Sequence, residues 1–244
     1  MKTEIKLQYD ICKKNDGAIP VIIVAAGSST RMKGINKQFM PILNVPVIAR
    51  TLMVFERCED ISKIIVVTSA DSICDMQLIC EKYAISKLCD IVEGGKNRHE
   101  SVMSGIARLD ASETKALIHD GARPFIDVAT ISQVAIALSD YDAALCVSKI
   151  NDTVKQVSPN GMVLSTVDRS ALYSAQTPQG VDVVKYKKAC DTVADVDAFT
   201  DDASVMEAAG YSVKAIIGSS KNIKITTPDD IAIAEALVKG ENEV

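Results

Sequence analysis

Pro20-Val21-Ile22-Ile23-Val24-Ala25-Ala26-Gly27-Ser28-Ser29-Thr30-Arg31-Met32 is the stretch on which the fold turns. Its first half is an unbroken apolar run rich in β-branched residues, the composition of a parallel strand buried on both faces. Its second half is small and polar and carries a cation. A strand that empties into such a loop, with an amphipathic helix following at Val47 to Glu56, is one step of an α/β unit. The rhythm recurs. Strands are expected at Lys63 to Thr68, Asp90 to Glu93, Lys115 to His119, Ala143 to Val147 and Tyr211 to Ile217. Helices opened by Asp71 and Asp127 run to Tyr83 and Leu138. Others lie near Glu100 to Leu109, Val181 to Val193, Asp201 to Gly210, and from Asp229 onward. The sum is an α/β class fold with a doubly wound, mostly parallel, Rossmann-like sheet.

After Ser148 the pattern breaks. Lys149 to Val157 and Met162 to Asp168 are strand-like and are joined by Ser158-Pro159-Asn160-Gly161, a hairpin signal. An inserted β-hairpin arm at about 149–170 is expected. Two strands alone are marginal in water, so the arm must cover its apolar face with a partner subunit or with its own domain.

The 244 residues are 48% hydrophobic and 24% charged, an ordinary globular balance that excludes disorder, collagen-like chains and small disulfide scaffolds. No apolar run approaches the ~18 residues of a membrane span, so no membrane partner is expected. The net charge of −5 argues against a nucleic-acid-coating surface and leaves a small polyanionic ligand open. Seven cysteines, with no Cys-x-x-Cys, and two histidines make a zinc site improbable. Several of the cysteines read as buried free thiols. With no apolar signal core before Pro20, a cytoplasmic location is expected.

Ligands of an open parallel sheet bind beyond the carboxyl ends of its strands, and the unusual residues of this chain fall there. After the first strand, Ala25, Ala26 and Gly27 let the backbone approach a phosphate, with Arg31 and Lys37 as countercharge. A plain turn with two solvated cations is the competing reading. Neither Gly-x-Gly-x-x-Gly nor a Walker A spacing is present. After the third strand, Gly94-Gly95-Lys96-Asn97-Arg98-His99-Glu100-Ser101 either offers backbone groups and the Ser101 hydroxyl to a nucleobase or is a tight turn at a helix start. Taken alone, the turn is favoured. After the fourth, His119-Asp120-Gly121-Ala122-Arg123-Pro124 places an acid where it can hold Mg²⁺ against phosphates or simply cap a turn. His119 reads as a neutral core histidine. Thr177-Pro178-Gln179 is expected to end the strand after the arm. Thr200 and Asp201 read as a helix N-cap, and Asn222-Ile223-Lys224 as part of a late strand.

In chain order these motifs resemble a known family. Ala25-Ala26-Gly27-x-x-x-Arg31-Met32 with Lys37-Gln38-Phe39 resembles the nucleotide loop of sugar-nucleotide pyrophosphorylase-like transferases. Adding His119 to Pro124, Gln176-Thr177-Pro178-Gln179, Thr200-Asp201-Asp202-Ala203-Ser204 and Asn222-Ile223-Lys224, the set resembles the 2-C-methyl-D-erythritol 4-phosphate cytidylyltransferase family from about Pro20 to Leu237. The resemblance implies a single Rossmann-like nucleotidyltransferase domain over 20–244, with 1–19 as an N-terminal extension. It implies CTP and a phosphorylated polyol as substrates, Mg²⁺ as cofactor, and isoprenoid biosynthesis as the setting. Ala25, Ala26, Gly27, Arg31, Lys37, Gly95, Ser101 and Asp120 would bind the nucleotide, with Asp120 on the metal. Arg123, Thr153, Arg169, Thr177, Thr200 and Lys224 would hold the acceptor. Arg31, Lys37, Arg169 and Lys224 would carry catalysis. The arm would close a homodimer, with Thr153 and Arg169 completing the neighbour's site.

Three alternatives stand beside this reading. A ribitol 5-phosphate cytidylyltransferase shares the fold, but such relatives tend to carry Ala-Gly-Gly in the first loop and Val in the His-Asp motif, unlike Ala25-Ala26-Gly27 and Gly121-Ala122. A nicotinamide-dependent oxidoreductase lacks its glycine signature here. A silent nucleotide-binding regulatory module would be expected to have lost Arg31, Lys37 or Asp120, and all three are present.

Overall fold

The computed structural model describes residues 17–27 and 37–242. Arg31, on the first loop, lies outside them. In chain order the strands are β1 (Ile19–Val24), β2 (Pro41–Ile42), β3 (Val45–Pro46), β4 (Ile61–Thr68), β5 (Leu88–Glu93) and β6 (Lys115–Asp120). They continue as β7 (Ala143–Lys149), β8 (Val154–Val157), β9 (Val163–Val167), β10 (Tyr173–Asp182) and β11 (Val213–Ile217). The helices are α1 (Val47–Arg57), α2 (Ile73–Lys82), α3 (Arg98–Ile106), α4 (Val128–Ala137), α5 (Val183–Thr192), α6 (Asp202–Ala208) and α7 (Pro228–Asn242).

Seven strands form one sheet in the order β11-β7-β10-β6-β1-β4-β5. All pair in parallel except β10, which is antiparallel to both neighbours. The alternation of β1 divides the core. Val21 and Ile23 pack with α1, α2 and α4 on one face, and Ile22 packs with α3, α5 and α6 on the other. Both faces are thus covered, which is why the strand reads as a continuous apolar run. Helix α1 buries Val47, Ile48, Leu52 and Phe55 completely, the spacing of one helical face. Asp127 caps α4, its side chain accepting from the Thr130 N–H at 2.7 Å.

The differences from expectation have local causes. Asp71 opens no α-helix: Ala70–Ser72 tightens into a single 3₁₀ turn, so Asp71 sits inside that turn and α2 starts at Ile73. Val181 and Asp182 belong to β10, and Asp182 caps α5 by accepting from the Lys185 N–H at 3.0 Å. Thr177 to Gln179 lie inside β10 rather than at its end. Asn222 to Lys224 form no strand, because turn bonds fold the chain there: Asn222 N–H to Ser219 O at 3.1 Å and Ile223 N–H to Lys221 O at 2.7 Å.

The arm is present as the antiparallel pair β8·β9, its turn closed by Gly161 at φ +85°, a conformation that glycine adopts without strain. Strand structure begins only at Val154, since Lys149 ends β7. Val157, Met162, Val163 and Leu164 stand exposed on the arm. Cys58, Cys80 and Cys146 are buried free thiols as expected, whereas Cys74 and Cys89 are exposed. No helix among the described residues is long and apolar enough to cross a membrane.

Candidate active site

Strand β1 pairs with β4 on one side and β6 on the other, so the connections diverge there and a crevice opens at the carboxyl ends. Val24 and Asp120 are register partners at that point. Two adjoining cavities occupy the crevice, of about 480 and 240 Å³. The larger is lined by Ala26, Gly27, Lys37, Gly95, Ser101, Asp120 and Lys224 among others, seven positions singled out from sequence. The smaller is lined by Asp120, Arg123, Thr177, Thr200 and Lys224, also singled out from sequence, together with Gln176, Gln179 and Asp201. Ala25 is buried, 2% exposed, and is not among the residues lining either cavity. Thr153 and Arg169 are exposed on the arm's approach and line neither cavity; the Arg169 guanidinium donates to the Asn151 carbonyl.

The wall formed by Gly94 to Ser101 is built from its own polar groups. Asn97 caps α3, accepting from Glu100 N–H at 2.7 Å, and the Ser101 hydroxyl donates to Asn97 O at 2.8 Å while accepting from Gly95 N–H at 3.1 Å. A side chain at Gly94 would come within 2.8 Å of Ser101 Oγ and press on Ala26, so glycine lets this wall close against the first loop.

Asp120 is the electrostatic centre. Lys224 Nζ lies 2.8 Å and Arg123 Nε 3.5 Å from its Oδ2, and Arg98 Nε lies 3.8 Å from its Oδ1. Burial alone would raise the carboxyl pKa, but Lys224, Arg98 and Arg123 override it and hold the group far below the usual carboxylate range. Because β10 runs antiparallel beside β6, its interior Thr177 comes level with Asp120, and the Thr177 hydroxyl accepts from Asp120 N–H at 3.0 Å.

The same strand explains two glutamines. Gln176 Oε1 accepts from Asn222 Nδ2 at 3.0 Å and so fixes the turn that carries Lys224. Gln179 donates to Asp201 at 2.9 Å and accepts from Ala203 N–H at 2.9 Å, which pins the start of α6 beside Thr200. Asp201 is indeed the cap of α6, accepting from Ser204 N–H at 3.0 Å. Arg123 is anchored through Nη1 on Asn222 O at 2.9 Å.

His119 is wholly buried, as a core histidine should be. Its Nδ1 lies 3.1 Å from Thr177 Oγ1 and its Nε2 3.1 Å from Arg123 O. A carbonyl can only accept, so Nε2 carries the proton and Nδ1 accepts the threonine hydroxyl. Burial pushes its pKa down to about 4. The folded value lies below the unfolded ~6.5, so the unfolded chain binds the extra proton between them. The contribution is complete above pH 6.5 and is lost as pH falls toward 4, by about 3 kcal/mol in all. Urea denaturation of metal-free protein at pH 6.5 and 4.5 is expected to show this loss in the wild type and a smaller one in His119→Gln. Equal losses in the two proteins would refute it.

Sequence reasoning passed over Arg98. It lies on the borders of both cavities and donates through Nη2 to Asp202 Oδ2 at 2.7 Å. Its only sequence signal is its place three residues after Gly95 at the head of a helix.

A sheet of this order, with its crevice lined in this way, can be set against proteins of known kind. The family model described as 2-C-methyl-D-erythritol 4-phosphate cytidylyltransferase matches residues 19–240. The chain belongs to this family. A Clostridium novyi cytidylyltransferase of that name is 41% identical over 225 residues, covering 89% of this chain and 95% of its own. The Alkaliphilus metalliredigens protein of the same name is 37% identical over 224 residues, covering 90% of this chain and 92% of its own. Among solved structures, a 4-diphosphocytidyl-2C-methyl-D-erythritol synthase from Anaerococcus prevotii superposes with a TM-score of 0.79 at 31% identity, covering 92% of this chain and 97% of that one. The cytidylyltransferases thus share the fold over nearly the whole described chain, as the sequence motifs had implied.

Proposed function

We propose that this cytidylyltransferase transfers CMP from CTP to 2-C-methyl-D-erythritol 4-phosphate, giving 4-diphosphocytidyl-2-C-methyl-D-erythritol and pyrophosphate in isoprenoid biosynthesis. The observation that carries the reading is the pair of adjoining cavities with Asp120 and Lys224 on the border between them. One is framed by the small-residue loop and the Gly94–Ser101 wall and suits a nucleotide. The other is framed by Arg123, Thr177 and Thr200 and suits a phosphorylated polyol.

An acceptor phosphate oxygen attacks the α-phosphorus, the new O–P bond forms, and the bond to the β-phosphate oxygen breaks as pyrophosphate leaves. A phosphate oxygen is nucleophilic at neutral pH, so no general base is needed. The buried, neutral His119 is not placed to be one. The barrier is repulsion between two polyanions, and cations fixed in advance lower it. Lys37 on the nucleotide side and Arg123 and Lys224 on the acceptor side are those cations, with Arg31 on the first loop as a further one.

Asp120 fits a Mg²⁺ site of the kind that uses one carboxylate and completes its shell with phosphates and water. No cluster of three or more His, Cys, Asp or Glu side chains is found among the described residues, so an all-protein cage is not offered. When bound, Mg²⁺ would supply charge neutralisation at the phosphates. Lys224, 2.8 Å from Asp120, lines the acceptor cavity as well and would meet the acceptor phosphate there.

The exposed Val157, Met162, Val163 and Leu164 support a homodimer through the arm, which would bring Thr153 and Arg169 to the neighbouring subunit's acceptor cavity. Residues 20–244 are then one catalytic domain with that arm, 1–19 an extension, and the cytoplasm the expected location. Pyrophosphate release from CTP and Mg²⁺ is expected with 2-C-methyl-D-erythritol 4-phosphate and not with ribitol 5-phosphate. The reverse preference would overturn the acceptor while sparing the nucleotide site.

A further inference from the structure

The two cavities are built by different elements but share three residues, Arg98, Asp120 and Lys224. If the nucleotide fills one cavity and the acceptor phosphate the other, a side chain that borders both faces the phosphorus at which they meet. Asp120 and Lys224 already have roles. Arg98 has none. Resting on the cytidylyl-transfer reading, we propose that Arg98 is a catalytic residue that binds phosphate oxygens at this junction.

Its surroundings hold it as a prepared donor. Arg98 Nη2 donates to Asp202 Oδ2 at 2.7 Å, and the other carboxylate oxygen of Asp202 accepts from the Tyr186 hydroxyl at 2.8 Å. Asp202 is 1% exposed and Tyr186 fully buried, so the guanidinium is braced from behind by groups with little room to move. Nε faces Asp120 at 3.8 Å, and Nη1 makes no hydrogen bond with any described residue. The side chain remains 30% exposed and lines both cavities. Although burial disfavours the cation, Asp202 and Asp120 keep it firmly charged.

An arginine braced along one edge presents the rest of its planar fork to a phosphate with little reorganisation, the arrangement that stabilises charge developing in a transition state. A counterion whose only task was to neutralise Asp202 would have no need to border either cavity. The brace also joins the start of α3, after the nucleotide wall, to the start of α6, after Thr200, so the same contact sets the two walls relative to each other.

The test uses the full chain, once wild-type pyrophosphate release from CTP and 2-C-methyl-D-erythritol 4-phosphate has been measured. Arg98→Ala, Asp202→Asn and the double variant Arg98→Ala/Asp202→Asn are compared for melting temperature, kcat and KM. Arg98→Ala leaves a buried carboxylate uncompensated, so it is expected to melt lower and to lose kcat by about 10²–10³-fold. The double variant removes both charges. It is expected to regain most of the melting temperature and to keep the kcat loss, with KM for CTP changed far less. Arg98→Lys, which keeps the charge without the fork, is expected to recover part of kcat. Recovery of kcat in the double variant would overturn the proposal and leave Arg98 a structural counterion. A wild type that releases no pyrophosphate with either acceptor would overturn the cytidylyl-transfer reading and the proposal with it.

Discussion

Asp120→Asn is expected to cut cytidylyl transfer by at least about 10²-fold and to lower the melting temperature at the same time. The two effects have separate causes. Turnover falls because the site loses the one carboxylate that, among the described residues, borders both cavities, the group that fits Mg²⁺. Stability falls because Lys224, Arg123 and Arg98 all face this one anion, at 2.8, 3.5 and 3.8 Å. Without it they repel one another in a pocket where the carboxylate side chain is only 11% exposed. Removing one partner of a buried ion pair typically costs about 3–5 kcal/mol. The lower end applies here, since Arg98 keeps Asp202 and Lys224 reaches solvent. About 3 kcal/mol in a chain of this size is a drop of about 6–12 °C. Pyrophosphate, which can replace the missing anion among the three cations, is expected to restore more melting temperature to the variant than to the wild type. A variant with wild-type melting temperature and turnover would refute both the ion cluster and the assignment of Asp120.

What the sequence disclosed about the fold follows from where burial is two-sided. β1, β4, β6 and β7 lie between helices, so each is an apolar run that can be read without tertiary knowledge. β10 was less legible. Its centre is Gln176-Thr177-Pro178-Gln179, polar and with a proline, because those residues serve the site and not the core. Asn222-Ile223-Lys224 misled in the other direction: its residues suit a strand, but the turn bonds around Ser219 and Lys221 leave it no ladder partner. Helix starts were legible at Asp127 and Asp201, which stand as actual caps, and misread at Asp71, where the turn tightened, and at Asp182, whose cap ends a strand.

The candidate site divides along the same line. Chemistry placed at a strand's carboxyl end, such as Ala26-Gly27 or Asp120, is visible because it interrupts an apolar run. Arg98 is not visible in this way. Its partner Asp202 is 104 residues away, and only the folded chain, which brings the start of α3 to the start of α6 through that bond, shows that one arginine borders both cavities. Thr153 and Arg169 line neither cavity, since the arm pairs only within itself as β8·β9, and their part in a site rests on the dimer proposed above.

Lys37→Ala is expected to leave the fold intact and to lower kcat by about 10²–10³-fold, or about 3–4 kcal/mol of transition-state stabilisation. The fold survives because the 3₁₀ turn Lys37–Phe39 is held by its neighbours: Gln38 is 3% exposed, Phe39 packs on the core, and Met40 N–H bonds Lys37 O at 3.3 Å. Truncating the lysine removes a cation from the wall of the nucleotide cavity, while Gln38 and Phe39 keep the turn's own packing. The loss in rate is larger than the loss in CTP affinity, because charge on the α-phosphate grows as the acceptor oxygen arrives, and only interactions stronger at that stage accelerate the step. CTP binding measured by calorimetry is thus expected to weaken several-fold at most while pyrophosphate release collapses. Arg31→Ala, on the same loop, is expected to behave alike. Near-wild-type turnover in both variants would remove this loop from the chemistry. An equal fall in affinity and in kcat/KM, with kcat unchanged, would reduce Lys37 to a binding residue that contributes nothing extra at the transition state.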